Sequence, residues 1–137
     1  MLGRKARTAV VLAAAAAALA VPGGATAKLL DDYYNEGIEP QADLGEKSSP
    51  ISHPRKLTVE FSGSVPESIN ARFTVACYLH GRTRFTRDLS LSGVSPVDGV
   101  VPITRRFDSC RVTSAKANFA DPFISGWLRI RIFGTPS

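Results

Sequence analysis

The chain has 137 residues, a formal net charge of +5 and 44% hydrophobic residues. A chain of this length forms one domain at most. Its ordinary hydrophobic content argues against wholesale disorder, and its two cysteines are too few for a disulfide-dense mini-scaffold.

Residues 1–27 have the pattern of an export signal. A cationic start (Arg4, Lys5 and Arg7) is followed by an uninterrupted apolar run from Ala9 to Val21. These 13 apolar residues suit the hydrophobic region of a signal peptide. They fall short of the ~20 residues that a membrane-spanning helix needs. The sequence therefore predicts export.

The predicted cleavage site follows Ala25 and Ala27, whose small side chains suit signal peptidase. We expect a mature protein that begins at Lys28, is secreted and keeps no stable membrane anchor. Cleavage removes three basic residues and no acids, so 14 basic and 12 acidic residues remain and the charge falls to about +2. So small a charge argues against nucleic acid as a partner.

Residues 28–54 are predicted to form an extended acidic arm before the folded domain. The segment shows no sustained period of 2 or 3.6, and three prolines interrupt it. Residues 28–50 hold six acids and two lysines, whereas residues 51–137 hold 12 basic and six acidic residues. Opposite charge favours a loose contact between arm and domain, and the sequence leaves open whether the arm docks or is free.

Residues 55–137 alternate apolar and polar side chains with the period of half-buried β-strands. The fifth of these strands changes parity near Ser114, which indicates a β-bulge, and His80-Gly81 suits a tight hairpin turn. Six strands without a long helix predict an all-β domain, a small antiparallel β-sandwich of two packed sheets. The six are centred on residues 57–61, 73–79, 85–91, 97–103, 110–119 and 128–132.

The two cysteines are predicted to form a disulfide between the two sheets. Cys77 and Cys110 occupy apolar-side positions in a chain predicted to be exported, where an oxidising compartment favours a covalent link. Metal binding by both cysteines with His80 and Asp108 is the alternative, but His80 has the opposite parity to Cys77, so we predict no metal site and no cofactor. The predicted core consists of Leu57, Val59, Phe61, Phe73, Val75, Leu79, Phe85, Leu89, Val112, Ala117, Leu128, Ile130 and Ile132.

A disulfide between two packed sheets resembles the immunoglobulin-like sandwiches. In those domains a tryptophan lies between the two cysteines in the sequence, whereas Trp127 follows both cysteines here. The resemblance is therefore one of fold class only, and it implies no function.

Few residues of this chain suit catalysis. The histidines are His53, in a proline-flanked segment, and His80, beside a hairpin turn. The sequence contains no nucleophile elbow, phosphate-binding loop or zinc-protease motif. We therefore predict that the protein is not an enzyme.

Arginine and aromatic residues at polar-side positions form the candidate binding face. Guanidinium groups bind carboxylates, phosphates and sulfates through two parallel hydrogen bonds, and an indole ring stacks on sugars. The alternative is that these residues bind no ligand and are simply exposed to solvent, because alternate positions of a strand must face water. The candidate residues are Arg82, Arg84, Arg105, Arg106, Trp127, Arg129, Arg131 and Phe133.

The sequence thus favours a secreted, non-enzymatic binding or adhesion module for an anionic envelope polymer or an extracellular protein. A structural or self-assembling extracellular protein is the first alternative. An enzyme inhibitor, or a small secreted hydrolase, is the second. The sequence leaves the ligand and the oligomeric state open.

Overall fold

Nine β-strands account for the regular secondary structure of residues 26–137, the part of the chain that a computed structural model describes. Within these residues no helix is long and apolar enough to cross a membrane. Residues 1–25, which hold most of the predicted signal peptide, lie outside the described part. The strands are β1 (Lys28–Ile38), β2 (Gln41–Asp43), β3 (Ile51–Ser52), β4 (Pro54–Gly63), β5 (Ser68–Leu79), β6 (Arg82–Val94), β7 (Val97–Pro102), β8 (Ser109–Phe119) and β9 (Ser125–Pro136).

Two antiparallel sheets contain these strands. Sheet A has the order β1-β9-β4-β7, and sheet B has the order β2-β8-β5-β6, with β3 also paired to β8. This is the strand order of a jelly roll, the β-sandwich that is built from two Greek keys. The predicted all-β, antiparallel sandwich is confirmed.

All six predicted strands are present, as β4 to β9. The predicted bulge is also confirmed, because Thr74 pairs with Ser114 while Val75 pairs with Val112, which leaves one extra residue in β8. At the β5–β6 hairpin, His80 and Gly81 both have positive φ angles, of 53° and 77°. Two consecutive positive φ angles are characteristic of the type I′ turns that suit the twist of paired strands.

The core lies between the two sheets. Ten of the 13 predicted core residues are buried. Leu79, Phe85 and Leu89 are half-buried, because they lie on or beside the edge strand β6. The rings of Phe61 from sheet A and Phe73 from sheet B meet across the gap with centroids 6.2 Å apart. Side chains from both sheets therefore interdigitate in one continuous core.

Residues 28–54 belong to the sandwich, which corrects the prediction of a separate arm. β1 pairs with β9 from Lys28–Gly134 to Ile38–Ser125, and β2 and β3 pair with β8. These pairings use backbone groups, which every non-proline residue has, so they do not require an alternating side-chain pattern. The sandwich therefore includes the described chain from Lys28 onward rather than from residue 55.

Cys77 and Cys110 form the predicted disulfide, but they do so within sheet B. The two residues lie directly opposite each other in β5 and β8, and both side chains are fully buried in the core. The predicted position between the two sheets is wrong. Strands of both sheets point their apolar residues into the same core, so the alternation shows that a residue is buried but not which strand lies beside it. The resemblance to immunoglobulin-like domains thus extends only to two packed sheets.

We expect the double variant Cys77→Ala/Cys110→Ala to lose about 3–4 kcal/mol of unfolding free energy, because the bond closes a loop between residues 33 apart. Urea unfolding of the oxidised protein, the reduced protein and the double variant measures this loss. The reduced protein and the double variant should have similar midpoints. A loss below about 1 kcal/mol would contradict a stabilising role for the bond.

Candidate binding site

The structure separates the eight residues of the candidate binding face into two groups. Trp127, Arg129, Arg131 and Phe133 lie on the outer face of sheet A, along the central strand β9. The remaining four lie elsewhere: Arg82 and Arg84 are on β6 of the other sheet, and Arg105 and Arg106 are in the β7–β8 connection. No single surface therefore presents all eight.

Arg129 forms a bidentate ion pair with Asp32 of β1. Its Nε and Nη2 donate to the two carboxylate oxygens at 3.0 and 3.1 Å. The Asp32 side chain is fully buried, and that of Arg129 is 23% exposed. Burial raises the pKa of Asp32, and the hydrogen bonds and charge of Arg129 oppose this shift. The guanidinium of Arg129 is therefore committed to holding β1 against β9.

Arg131 forms an ion pair with Glu60 of β4, through one carboxylate oxygen only. Its Nε donates to Glu60 Oε1 at 2.8 Å, and its Nη2 contacts the same oxygen. Its guanidinium also lies 5.8 Å from the centre of the Phe133 ring, within the range of a cation–π interaction. Next to Glu60, on β7, burial and the charge of Glu60 raise the pKa of Asp98.

The outer face of sheet A is thus a ladder of internal ion pairs. Asp32, Arg131, Glu60 and Asp98 succeed one another in a row across the four strands. Two arginines and three carboxylates form this ladder, so the ladder itself carries no excess of positive charge. An anionic ligand would have to displace a carboxylate from Arg129 or Arg131 before it met either guanidinium.

The four remaining arginines lie at one end of the sandwich, which we call the basic end and define by Arg82, Arg84, Arg105 and Arg106. The backbone N–H of Asp108 donates to the Tyr78 carbonyl oxygen at 2.9 Å, which joins the β7–β8 connection to the end of β5. The rings of Phe85 and Phe107 pack with centroids 6.0 Å apart. These contacts bring the β5–β6 hairpin and the arginine-bearing connection together.

Both histidines also lie at the basic end. The backbone N–H of His53 donates to the Asp108 carbonyl oxygen at 3.0 Å. The backbone N–H of His80 donates to Asp108 Oδ2 at 2.8 Å. Asp108 therefore joins two turns, accepting one hydrogen bond through its backbone carbonyl and the other through its carboxylate. Within residues 26–137, no group of three His, Cys, Asp or Glu side chains is placed to hold a metal ion.

A second candidate site, which sequence reasoning missed, is a groove on the outer face of sheet B. Polar side chains of three neighbouring strands line it, and it encloses about 470 Å³. Its lining contains no carboxylate, imidazole or thiol. We call it the polar groove and define it by Asn70 and Arg72 of β5, Ser90 and Ser92 of β6, and Lys116 and Asn118 of β8.

The strand register arranges the polar groove in two rows. In one row Arg72 lies between Ser90 of β6 and Lys116 of β8. Lys116 Nζ lies 3.6 Å from Asp43 Oδ2 of β2, in an ion pair whose side chains are both 54% exposed. So exposed a pair is weak. None of the ion pairs found among the described residues involves Arg72.

The other row consists of Asn70, Ser92 of β6 and Asn118 of β8. The alternation of polar and apolar residues in each strand indicates that all six of these residues face outward, because they alternate with the core residues. The sequence did not reveal that β6, β5 and β8 are neighbours, and without that order the six residues are scattered over 49 positions from Asn70 to Asn118.

No protein-family model matches the chain, and no curated protein sequence matches it. Among solved structures, the chain is similar to the C-terminal domain of a structural protein from Sulfolobus turreted icosahedral virus. The TM-score is 0.47 and the identity 11%, over 79% of this chain and 96% of that one.

The chain is also similar to two carbohydrate-binding modules. One was solved with β-1,4-galactotriose, with a TM-score of 0.43 and 6% identity over 82% of this chain and 88% of that one. The other is a family 11 module from Clostridium thermocellum, with a TM-score of 0.36 and 13% identity over 81% of this chain and 96% of that one. At these values the similarity concerns the β-sandwich and assigns no ligand to this chain.

We expect Arg129→Ala to destabilise the protein by about 2–4 kcal/mol, because it removes one partner of a pair whose carboxylate is fully buried. Arg131→Ala should cost about 1 kcal/mol or less, because Glu60 is 24% exposed and gains water when the pair is broken. Urea unfolding at pH 7 measures both. Equal losses would contradict the unequal burial of the two carboxylates.

We expect Asp98→Asn to stabilise the protein at pH 7 by a few tenths of a kcal/mol, as for exposed charges generally. The pKa of Asp98 is higher in the folded protein than its usual value of 3.8, so its ionisation opposes folding. The gain should be complete above the folded pKa and vanish below about 3.8, where Asp98 is protonated in both states. Urea midpoints at pH 7 and pH 3 test this, with Glu67→Gln as a control in a loop. A gain that persists at pH 3 would contradict the assignment.

Proposed function

We propose that this protein is an exported, non-enzymatic binding module whose polar groove binds an anionic, hydroxyl-rich polysaccharide of the uronic acid class. The observation that carries the proposal is the convergence of Arg72, Lys116, two asparagine amides and two serine hydroxyls on one solvent-facing groove. The export pattern of residues 1–27 supports an extracellular location, where such polymers occur.

The chemistry of the groove favours a carboxylated sugar over other anions. The Arg72 guanidinium provides a planar fork that matches a carboxylate, and Lys116 adds a second positive charge beside it. Asparagine amides and serine hydroxyls both donate and accept hydrogen bonds, as sugar hydroxyl groups do. Neighbouring strands are about 5 Å apart and alternate residues about 7 Å apart, so the two rows repeat along an extended polymer.

The same lining supports binding rather than catalysis. Hydrolysis of a glycosidic bond requires carboxyl groups on both sides of the bond, and proton transfer most often uses histidine or an acid. The polar groove has none of these groups. Asp32 and Glu60, on the outer face of sheet A, lie on the opposite side of the sandwich and are held by Arg129 and Arg131.

The polar groove is tested by binding to polygalacturonate, with neutral dextran as the comparison polymer. Intact mass first establishes whether the exported chain begins at Lys28 and carries the disulfide. Affinity electrophoresis and calorimetry then measure binding across a salt series. We expect binding to polygalacturonate that weakens with salt, and no binding to dextran.

The double variant Arg72→Ala/Lys116→Ala should bind polygalacturonate at least about tenfold more weakly, since a hydrogen bond to a charged group contributes about 1.5–3 kcal/mol. The matched control is Lys47→Ala/Arg87→Ala, which removes the same charge from exposed positions outside the groove. Equal losses in the two double variants would mean that net charge alone attracts the polymer, and this would overturn the proposal. Unchanged binding in the groove variant would overturn it as well.

A further inference from the structure

The two ends of the sandwich carry opposite charge. The β1–β2, β4–β5, β6–β7 and β8–β9 connections all lie at the end opposite to the basic end, as the antiparallel order requires. Residues 36–40, 64–67, 95–96 and 120–124 contain no lysine or arginine. We call this the acidic end and define it by Glu36, Glu39, Glu67 and Asp121.

The acidic end also carries the two most exposed large apolar side chains of the described residues. Phe123 is 88% exposed and Ile38 is 87% exposed. They lie close together, because Ile38 pairs with Ser125 across β1 and β9 and Phe123 precedes Ser125 by two residues. The Phe123 backbone N–H donates to Asp121 Oδ1 at 2.9 Å, which fixes the turn that projects the ring into solvent. Exposed aromatic residues of this kind commonly anchor interfaces.

The basic end contains a pocket of about 360 Å³ that fits such an anchor. Buried Pro54, Ile103 and Phe107 contribute apolar surface to it. Arg105 and Arg106 are exposed members of the same lining, and the Arg105 guanidinium lies 5.3 Å from the centre of the Phe107 ring. The lining contains no aspartate or glutamate side chain. An aromatic side chain flanked by carboxylates would therefore meet both its apolar and its charged complement here.

We propose that the protein associates head to tail, with the acidic end of one copy seated on the basic end of a second copy. Phe123 enters the pocket beside Phe107, and Asp121 and Glu39 meet Arg105 and Arg106. One molecule cannot make this contact with itself, because its two ends are separated by strands of ten or more residues, which span roughly 35 Å. The contact joins different surfaces of the two copies, so it produces open chains or rings rather than an isolated two-fold dimer.

Sedimentation velocity over a concentration series tests this association in the exported protein. The average mass should rise with concentration, and the rise should weaken at high salt because charged groups take part. Phe123→Ser should weaken self-association at least about tenfold, as expected for an anchor residue. Arg105→Ala/Arg106→Ala should do the same from the other side. Val100→Ser, which also removes an exposed apolar side chain, and Lys47→Ala/Arg87→Ala should associate like the unmodified protein.

A mixture of the two defective proteins provides the decisive measurement. The Phe123→Ser copy keeps an intact pocket, and the Arg105→Ala/Arg106→Ala copy keeps an intact Phe123. Their mixture should therefore form one-to-one dimers that grow no further, at concentrations where each protein alone is monomeric because its self-association is weakened at least about tenfold. A monomer at every concentration, unchanged association of Phe123→Ser, or no dimer in the mixture would each overturn the proposal. Circular dichroism of both variants confirms that they are folded.

The association is independent of the polar groove, so the two proposals fail separately. The groove lies on the outer face of sheet B, whereas the contact uses the two ends of the sandwich. A monomer that binds polygalacturonate would overturn head-to-tail association alone. A protein that associates head to tail but does not bind polygalacturonate would overturn the proposed ligand alone.

Discussion

Burial of one apolar face from each sheet is the interaction on which the rest of this structure depends. Phe61 and Phe73 meet across the gap between the sheets, and the disulfide joins the two central strands of sheet B on the same buried side. Once alternate residues are committed to this core, the others must point outward. The sandwich therefore has two outer faces and two ends whose chemistry is free to vary.

The two outer faces use their polar side chains differently because different residues lie beside their arginines in the strand register. On sheet A the edge strand β1 supplies Asp32 to Arg129, while β4 supplies Glu60 to Arg131, so the arginines of β9 stabilise contacts between strands. On sheet B, β6 places Ser90 beside Arg72, and the short edge strand β2 supplies Asp43 to Lys116 in a largely exposed pair. Arg72 lies between a serine and a lysine in the register, it lines the groove, and none of the ion pairs found among residues 26–137 involves it.

The two ends of the sandwich carry charged residues that belong to neither outer face. Three of the four connections at one end carry acids, and the β7–β8 connection at the opposite end carries the two arginines that line a pocket. Association through the ends would leave the polar groove uncovered and repeat it along a chain of copies. Several weak sites on one polymer bind more tightly than one site, because each later contact is intramolecular. The two proposed contacts would thus reinforce each other without sharing a residue.

The sequence by itself determined the fold class, six of the nine strands, most of the core, the bulge in β8 and the hairpin at His80-Gly81, because each follows from local side-chain period or turn chemistry. The tertiary structure alone decided which strands are neighbours. That order made Cys77 and Cys110 partners within one sheet, placed acidic β1 against the arginines of β9, and assembled the polar groove. Parity assigns a side chain to the inside or the outside, and only strand pairing determines which side chains it meets.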